Sequence, residues 1–204
     1  MKSLFSLVLG LFLLSTSVYA QEDTPDALIK KVTDDVLTIV RQDKDIQNGN
    51  AKKAIELVEA KVIPHFNFQR MTSLAMGKDW NKATPEQKTQ LTEEFKTLLV
   101  RTYSNALTGY KDQAVRYKPT KMQSGDTDVV VKTEVVQSGS KPIQLDYSME
   151  KQAGGWKVYD VIVAGVSLVT NYRSTFAQEV SANKIEGLIK MIADKNKQLE
   201  AGKK

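Results

Sequence analysis

The fold is decided by residues 84–136, which open with TPEQKTQLTEEFKTLLVRTYSNALTGY and close with DVVVKTEVV. The first four residues match a capping box. Thr84 is the cap, a proline occupies the first helical position, and Gln87 occupies the third helical position. Apolar and aromatic residues then recur at helical spacing as far as Tyr110, which predicts one long amphipathic helix. From Ala114 onward the period shortens to two, which predicts strands.

Several strands follow this change of period, separated by turn residues. Residues 129–136 and 143–150 alternate apolar and polar side chains, and residues 156–163 form the last predicted strand. Glycine-containing turns at 138–140 and 153–155 have the spacing of hairpins, and Ala164-Gly165 ends the last strand. The pattern predicts an antiparallel sheet of about four strands.

Helices are predicted on both sides of this segment. Thr24 caps a first helix that ends near Asp43, Asn50 caps a second that stops at Pro64, and a third runs from about Phe68 to residue 77. Two more follow the sheet, around 168–176 and 185–192, before a lysine-rich tail at 195–204 that is expected to fray. The chain is therefore predicted to be one α+β domain, with N-terminal helices and a long central helix packed on a curved sheet, and with C-terminal helices.

The N-terminus predicts export. Residues 1–20 combine an early lysine, a short apolar run and small residues before Gln21, as in a cleavable secretory signal peptide. A membrane anchor is disfavoured because the apolar run is too short to cross a bilayer. We expect a signal peptide at 1–20, a single domain at 21–204 and a location in the bacterial periplasm.

Composition excludes most catalytic chemistry. The 204 residues include no cysteine and one histidine, His65, and the formal net charge is +5. Disulfides, cysteine nucleophiles, thiolate-ligated zinc and sites with two imidazoles are thereby excluded, so we expect no metal, no cofactor and no catalytic residues. The lysines are scattered without the pattern of a nucleic-acid-binding surface, and no nucleic-acid partner is expected.

Two polar residues near the last strand need an explanation. Ser167 follows Gly165 and Val166 in a partial nucleophile-elbow pattern, but the second glycine is missing, so a helix cap is favoured. Asp160 lies among apolar residues. It is either a buried, hydrogen-bonded structural acid, which we favour, or a residue of a site.

The long helix and two strands carry more apolar and aromatic side chains than a catalytic site would explain. Such side chains either fill an ordinary core or line a cavity for an apolar ligand. The pattern fits a cavity, but periodicity does not distinguish a filled space from a hollow one.

Two motifs resemble those of the MlaC family, also called the toluene-tolerance family. One is the long-helix segment 84–110, and the more specific one is 156–173, where WKVYD is followed by GVSLV and NYR. Further similarities at 74–80 and 187–189 extend the resemblance over essentially the whole mature chain. The sequence departs from the family at Asn67, where an acidic residue is common, and at Asn183-Lys184, where glycine is common.

The resemblance implies a soluble periplasmic phospholipid carrier with no enzymatic activity. Its implied partners are a phospholipid ligand, the outer-membrane lipoprotein MlaA with a porin, and the inner-membrane Mla ABC transporter. The carrier would move lipid between the two membrane complexes and so maintain the lipid asymmetry of the outer membrane. In outline the fold is NTF2-like, with acyl chains enclosed between sheet and helices and the headgroup at the mouth. Periodicity and the resemblance together predict a lipid-binding surface formed by Leu99, Tyr103, Leu107, Leu145, Tyr147, Tyr159, Val161, Val163, Val166 and Tyr172.

Two other functions are alternatives. An exported lipid hydrolase would use Ser167 as its nucleophile. A periplasmic chaperone or adaptor would have a solid core and would bind clients or partner proteins without lipid. Lipid extracted from the purified protein separates the three, because intact phospholipid indicates a carrier and lysolipid or fatty acid indicates a hydrolase.

Overall fold

A computed structural model describes residues 24–202, so the predicted signal peptide at 1–20 lies outside the described residues. Within this range, no helix is both long enough and apolar enough to cross a membrane. Helices come first, an antiparallel sheet follows, and two helices close the chain. The α+β class predicted from the sequence is confirmed.

Four helices precede the central one, and side-chain caps set where they begin. They are α1 (Pro25–Gln42), α2 (Lys44–Gln47), α3 (Ala51–Lys61) and α4 (Phe68–Met76). Thr24 Oγ1 accepts from the Ala27 amide at 3.3 Å, and Asn50 Oδ1 accepts from the Lys53 amide at 3.1 Å, as the sequence predicts. The sequence analysis missed α2, a single turn capped by Asp43.

Helix α5 (Pro85–Tyr103) is the long central helix. Its capping box is confirmed, because the Thr84 amide donates to Gln87 Oε1 at 2.9 Å and the Gln87 amide donates to Thr84 Oγ1 at 3.2 Å. The helix was predicted to continue to Tyr110 but instead tightens into a 3-10 turn at Ser104–Leu107. At that point Ser104 Oγ donates to the Val100 carbonyl at 2.6 Å, a bond that commonly bends a helix.

The sheet has five antiparallel strands in the order in which they occur in the chain: β1 (Ala114–Tyr117), β2 (Asp128–Val136), β3 (Ile143–Gln152), β4 (Gly155–Val163) and β5 (Val166–Ser167). The prediction of about four strands missed β5, whose two residues pair with Ile162 and Val163. The connecting turn needs positive φ at both Ala164 (50°) and Gly165 (85°), so the chain reverses where the sequence had suggested only a strand end.

Helices α6 (Leu168–Asn171) and α7 (Arg173–Glu200) complete the fold. The expectation of a frayed tail from residue 195 is wrong, because α7 continues to Glu200. Asn196 explains the difference: it is buried, its Nδ2 donates to the Glu94 carbonyl at 2.9 Å, and its own carbonyl accepts from Arg101 Nη1 at 2.7 Å. The end of α7 is therefore fixed to α5.

The buried apolar residues form three separate clusters. One joins α4, α5, α6 and α7 around Phe95 and Phe176, and a second joins α1 to the sheet around Val131 and Met149. The third joins α1, α2 and α3 around Val40. Half-buried side chains connect the clusters, because Phe66 packs against the first two and Val32 against the second and third.

Helix α7 is kinked at Lys184, whose backbone has φ 62° and ψ −169°. This region is essentially restricted to glycine, because a Cβ clashes there. The kink also brings Asn183 over Gly187, where an added Cβ would lie only 2.2 Å from the Asn183 Cβ. The resemblance described above implies glycine at Asn183-Lys184, where this chain has a strained lysine instead.

We therefore expect Lys184→Gly to raise the free energy of unfolding by about 1 kcal/mol, because relief of backbone strain exceeds the extra entropy of glycine in the unfolded chain. Urea denaturation followed by circular dichroism measures the change. The matched control is Lys195→Gly at an exposed site in regular helix, which should lower stability by about 1 kcal/mol. Equal losses in both variants would contradict the strain at Lys184.

Candidate functional site: two apolar chambers

Two apolar cavities lie between the helices and the inner face of the sheet. The first chamber, of about 310 Å³, is lined by side chains from α4, α5, β4 and the 3-10 turns Ile63–His65 and Ser104–Leu107, with single residues from α1, α3, β3 and α6. Ser104 is the one lining residue with a polar side chain apart from the Tyr103 phenol, and its hydroxyl is already bonded to the Val100 carbonyl. The first chamber thus offers a long ligand almost nothing but hydrocarbon.

The second chamber, of about 370 Å³, lies between α1 and strands β1 to β4. Its walls are again mainly apolar, with Leu28 and Val32 from α1 facing Val135 and Tyr147 from the sheet. Burial raises the pKa of the Tyr147 phenol well above its ordinary value, so this hydroxyl is uncharged at neutral pH. The second chamber differs from the first in that a histidine, His65, is part of its lining.

One layer of side chains separates the chambers. Val36, Val62, Phe66, Leu107 and Leu145 line both of them. Rotation of one such side chain would change the shape of both spaces, because they share this wall. The two chambers can therefore be treated as a single hydrophobic site with two compartments.

The position of the site follows from the three separate clusters. On α5, Leu91 and Phe95 are completely buried against α7, whereas Leu99 and Tyr103, one and two turns further on, line the first chamber. The same apolar stripe is thus solid core at its start and chamber wall at its end. Sequence periodicity is identical in both halves, which is why it could not distinguish them.

Seven of the ten residues predicted for lipid binding line these chambers. Six of them line the first chamber: Leu99, Tyr103, Leu107, Leu145, Val161 and Val163. The second chamber shares Leu107 and Leu145 with the first and adds Tyr147. The remaining three, Tyr159, Val166 and Tyr172, lie outside both linings.

Tyr159 is displaced by a β-bulge. The β3–β4 register pairs Met149 with Val158 but Ser148 with Asp160, so Tyr159 has no partner and strand alternation breaks at this residue. Its ring lies instead beneath the guanidinium of Arg70, with Cζ 3.6 Å from the ring centroid. The bulge could not be read from the alternating pattern of the strand.

The other two residues contact different surroundings. Tyr172 packs edge-on against Phe95, with ring centroids 5.0 Å apart, inside the helical cluster, and burial raises its pKa to about 12. Val166 is 59% exposed in the short strand β5.

The sequence analysis missed the part of the site that comes from the N-terminal helices. Val36 on α1, Val58 on α3 and Phe68 and Met71 on α4 complete the first chamber. These residues belong to the apolar faces from which the helices themselves were predicted. Nothing in their spacing shows that they face a space rather than another side chain.

Asp160 is the structural acid that the sequence analysis favoured. It is 8% exposed, and its Oδ1 accepts from the Val169 amide at 3.2 Å and from its neighbour Val161 at 2.9 Å. Its Oδ2 accepts from the hydroxyl of Ser167. Ser167 Oγ in turn accepts from the Thr170 amide at 3.0 Å, so this serine caps α6 as predicted.

In the 24–202 range the Ser167 hydroxyl donates to the Asp160 carboxylate and accepts from the Thr170 amide, and no histidine is among its partners. The same range contains no group of three or more His, Cys, Asp or Glu side chains arranged to hold a metal ion. The apolar linings of the two chambers suit the enclosure of an apolar ligand.

Comparison with known proteins points to one family. The sequence profile of the family described as MlaC protein matches residues 30–194. The chain is 26% identical over 192 residues to the intermembrane phospholipid transport system binding protein MlaC of Haemophilus influenzae, covering 92% of this chain and 88% of that protein. It is 29% identical over 161 residues to toluene tolerance protein ttg2D of Pseudomonas putida, covering 78% and 74% respectively.

A solved structure has the same fold. It is the phospholipid-binding protein from Ralstonia solanacearum in complex with a phospholipid, and it superimposes with a TM-score of 0.80 at 41% sequence identity. The match covers 86% of this chain and 98% of the other. At this coverage the likeness extends over helices and sheet together.

The bonding of Asp160 predicts a large effect on stability. Asp160→Ala should lower the free energy of unfolding by about 2–3 kcal/mol, because it leaves the buried Val169 amide without an acceptor. Ser167→Ala should cost about 1 kcal/mol, the usual value of a lost cap. Urea denaturation measures both, with Asp112→Ala at an exposed position as the matched control. An Asp160→Ala variant as stable as the control would show that the carboxylate is not structural.

Proposed function

This chain belongs to the MlaC family, and we propose that it is a phospholipid carrier of the bacterial periplasm that encloses acyl chains in its two chambers. The observation that carries the proposal is a pair of adjoining, almost wholly apolar cavities in a chain whose relatives are named for phospholipid transport and binding.

The driving force is the removal of hydrocarbon from water. Each buried methylene contributes about 0.8 kcal/mol, so a chain of about 16 carbons gains on the order of 10 kcal/mol on entering such a chamber. The phosphate and headgroup would lose their hydration inside and therefore stay at a mouth. We assign acyl contact to the chamber-lining residues Leu99, Tyr103, Leu107, Leu145 and Val161, together with Val163 and Tyr147.

We further propose that the protein shuttles phospholipid between two membranes. Its donors and acceptors would be an outer-membrane lipoprotein of the MlaA type with its porin, and an inner-membrane Mla ABC transporter, and the transfer would maintain lipid asymmetry of the outer membrane. The name of the Haemophilus relative, a binding protein of an intermembrane phospholipid transport system, supports this assignment. Residues 1–20 would direct export and then be cleaved, leaving the domain 21–204.

The proposed role needs no catalysis. Both hydrogen bonds of Ser167 serve the fold, one to Asp160 and one from the Thr170 amide. A nucleophilic serine needs a base to accept its proton, and the bonded carboxylate of Asp160 is itself held by two backbone amides.

Filling the first chamber should expel the lipid. We expect Val161→Trp combined with Val163→Trp to reduce co-purified phospholipid about tenfold or more, because the two indoles occupy space that the acyl chain needs. Native mass spectrometry of protein purified without detergent, followed by extraction of the same sample, measures the load. The matched control is Val130→Trp, at a 40% exposed position that lines neither chamber.

The possible outcomes separate the functions. Intact phospholipid on the wild type and on Val130→Trp, with little on the folded double variant, supports the carrier. A full load on the double variant would contradict the chamber assignment. A bare wild-type mass that persists after incubation with phospholipid vesicles would overturn the proposed function, and bound lysolipid or fatty acid would indicate a hydrolase instead.

A further inference from the structure

The two chambers differ in the titratable groups of their linings. No charged side chain lines the first, whereas the lining of the second includes the imidazole of His65. His65 ends the 3-10 turn Ile63–His65 and leads through Phe66, which bridges to Val158 of β4, into α4. It thus lies where α1, β4 and the connection between α3 and α4 meet at the second chamber.

Two lysines act on this imidazole from different elements. Lys157 on β4 donates through Nζ to the Pro64 carbonyl at 2.7 Å, which holds its ammonium next to the residue preceding His65. Lys31 is an exposed residue of α1, the helix that also contributes Ile29 and Val32 to the chamber lining, and its charge acts on His65. Both lysines exert a repulsive charge on a protonated His65.

The charges of Lys31 and Lys157 are not neutralised by carboxylates of the described residues. Among residues 24–202, neither Lys31 nor Lys157 has a carboxylate within 4 Å. Asp34 is paired with Lys30, one position from Lys31. Glu150, opposite Lys157 in the β3–β4 register, is engaged by Arg70 instead.

Other charged or titratable groups near the second chamber are exposed to solvent, uncharged at neutral pH or distant from His65. Asp35 lies one turn from Lys31 and is exposed to solvent. The Tyr147 phenol is buried and uncharged at neutral pH. Arg41 is not part of the chamber lining and lies roughly 15 Å along α1 from Lys31 at 1.5 Å per residue. Its Nε donates at 2.8 Å to the hydroxyl of Tyr110, which does line the chamber.

We propose that His65, Lys31 and Lys157 form a cationic rim on the second chamber that binds the phosphate group of the enclosed lipid. This inference rests on the proposed function, because the chamber supplies the site for the acyl chain to which that phosphate is attached. The three side chains offer N–H donors to phosphate oxygens, and such charge-assisted bonds are stronger than neutral ones. The apolar end of a lipid would fill the chamber while its anionic group stays at this edge.

Protonation of His65 should follow occupancy. In the empty protein its pKa is held below the ordinary value, first by burial and then by Lys157 and Lys31, so the imidazole is neutral at pH 7. A bound phosphate anion favours the imidazolium and raises that pKa. Binding then takes up a proton, and by linkage the affinity for a phosphate-bearing lipid increases as the pH falls through the range between the two pKa values.

The single histidine makes the test direct, because the imidazole carbon-bound proton signals of the mature protein have one source. We expect His65, titrated by NMR, to show a higher pKa in protein loaded with dipalmitoyl phosphatidylglycerol than in delipidated protein. The matched ligand is dipalmitoylglycerol, which has the same chains without phosphate and should leave the pKa unchanged or lower it. Inorganic phosphate alone is the third arm, since it shares the recognised chemistry.

Charge variants test the lysines. Lys31→Ala and Lys157→Ala should each reduce the bound ratio of phosphatidylglycerol to diacylglycerol about fivefold in competition, as expected for a partly exposed ion pair. Lys157→Gln covers the case in which Lys157→Ala fails to fold, because an amide can still donate to the Pro64 carbonyl. Lys78→Ala, at an exposed site on neither chamber, is the control and should leave the ratio unchanged.

Each contrary result has a distinct meaning. If both lipids load and the His65 pKa does not respond to phosphatidylglycerol, the rim is refuted while the carrier function stands. A response to inorganic phosphate with none to the phospholipid would assign the site to free phosphate and refute the lipid assignment. If neither lipid loads, the proposed function and the rim fall together.

Discussion

The carboxylate of Asp160 joins the sheet to the helices that follow it, and the remaining architecture depends on this junction. Its two oxygens hold the Ser167 hydroxyl and the Val169 amide, so the end of β4, the short strand β5 and the start of α6 are fixed by one side chain. Leu168, the first residue of α6, reaches the first chamber from this corner. A buried carboxylate is tolerated because every bond it accepts satisfies a group that would otherwise be orphaned.

Beyond that corner, the apolar side chains pack in three linked clusters that border the two chambers. Helix α5 is solid against α7 at its start and borders the first chamber at its end, and Asn196 and Arg101 fix the far end of α7 to it. Val and Leu side chains of the sheet face an apolar space, which costs less than exposing them to water.

Local features of this fold were readable from the sequence, and non-local ones were not. The caps at Thr24, Asn50 and Thr84 were predicted correctly because a cap is a contact between residues three positions apart. The bulge that displaces Tyr159 depends on the register between β3 and β4, which the strand pattern does not encode. The two chambers likewise depend on the distances between whole helices and strands, which the sequence pattern does not contain. Seven of the predicted contact residues line the chambers, but the contribution of α1, α3 and α4 was not predicted.

The shared wall between the chambers has a consequence for the empty state of the protein. Side chains such as Phe66 and Leu145 face a void on both sides when no ligand is present, and so lack the dispersion contacts that a core residue has. A ligand that fills the space becomes part of the hydrophobic core, and at about a thousandfold excess over its dissociation constant it adds about 4 kcal/mol to the stability of the folded chain. Loss of the ligand is then a step toward unfolding, and the ligand-free protein is the form that a protease would cleave first.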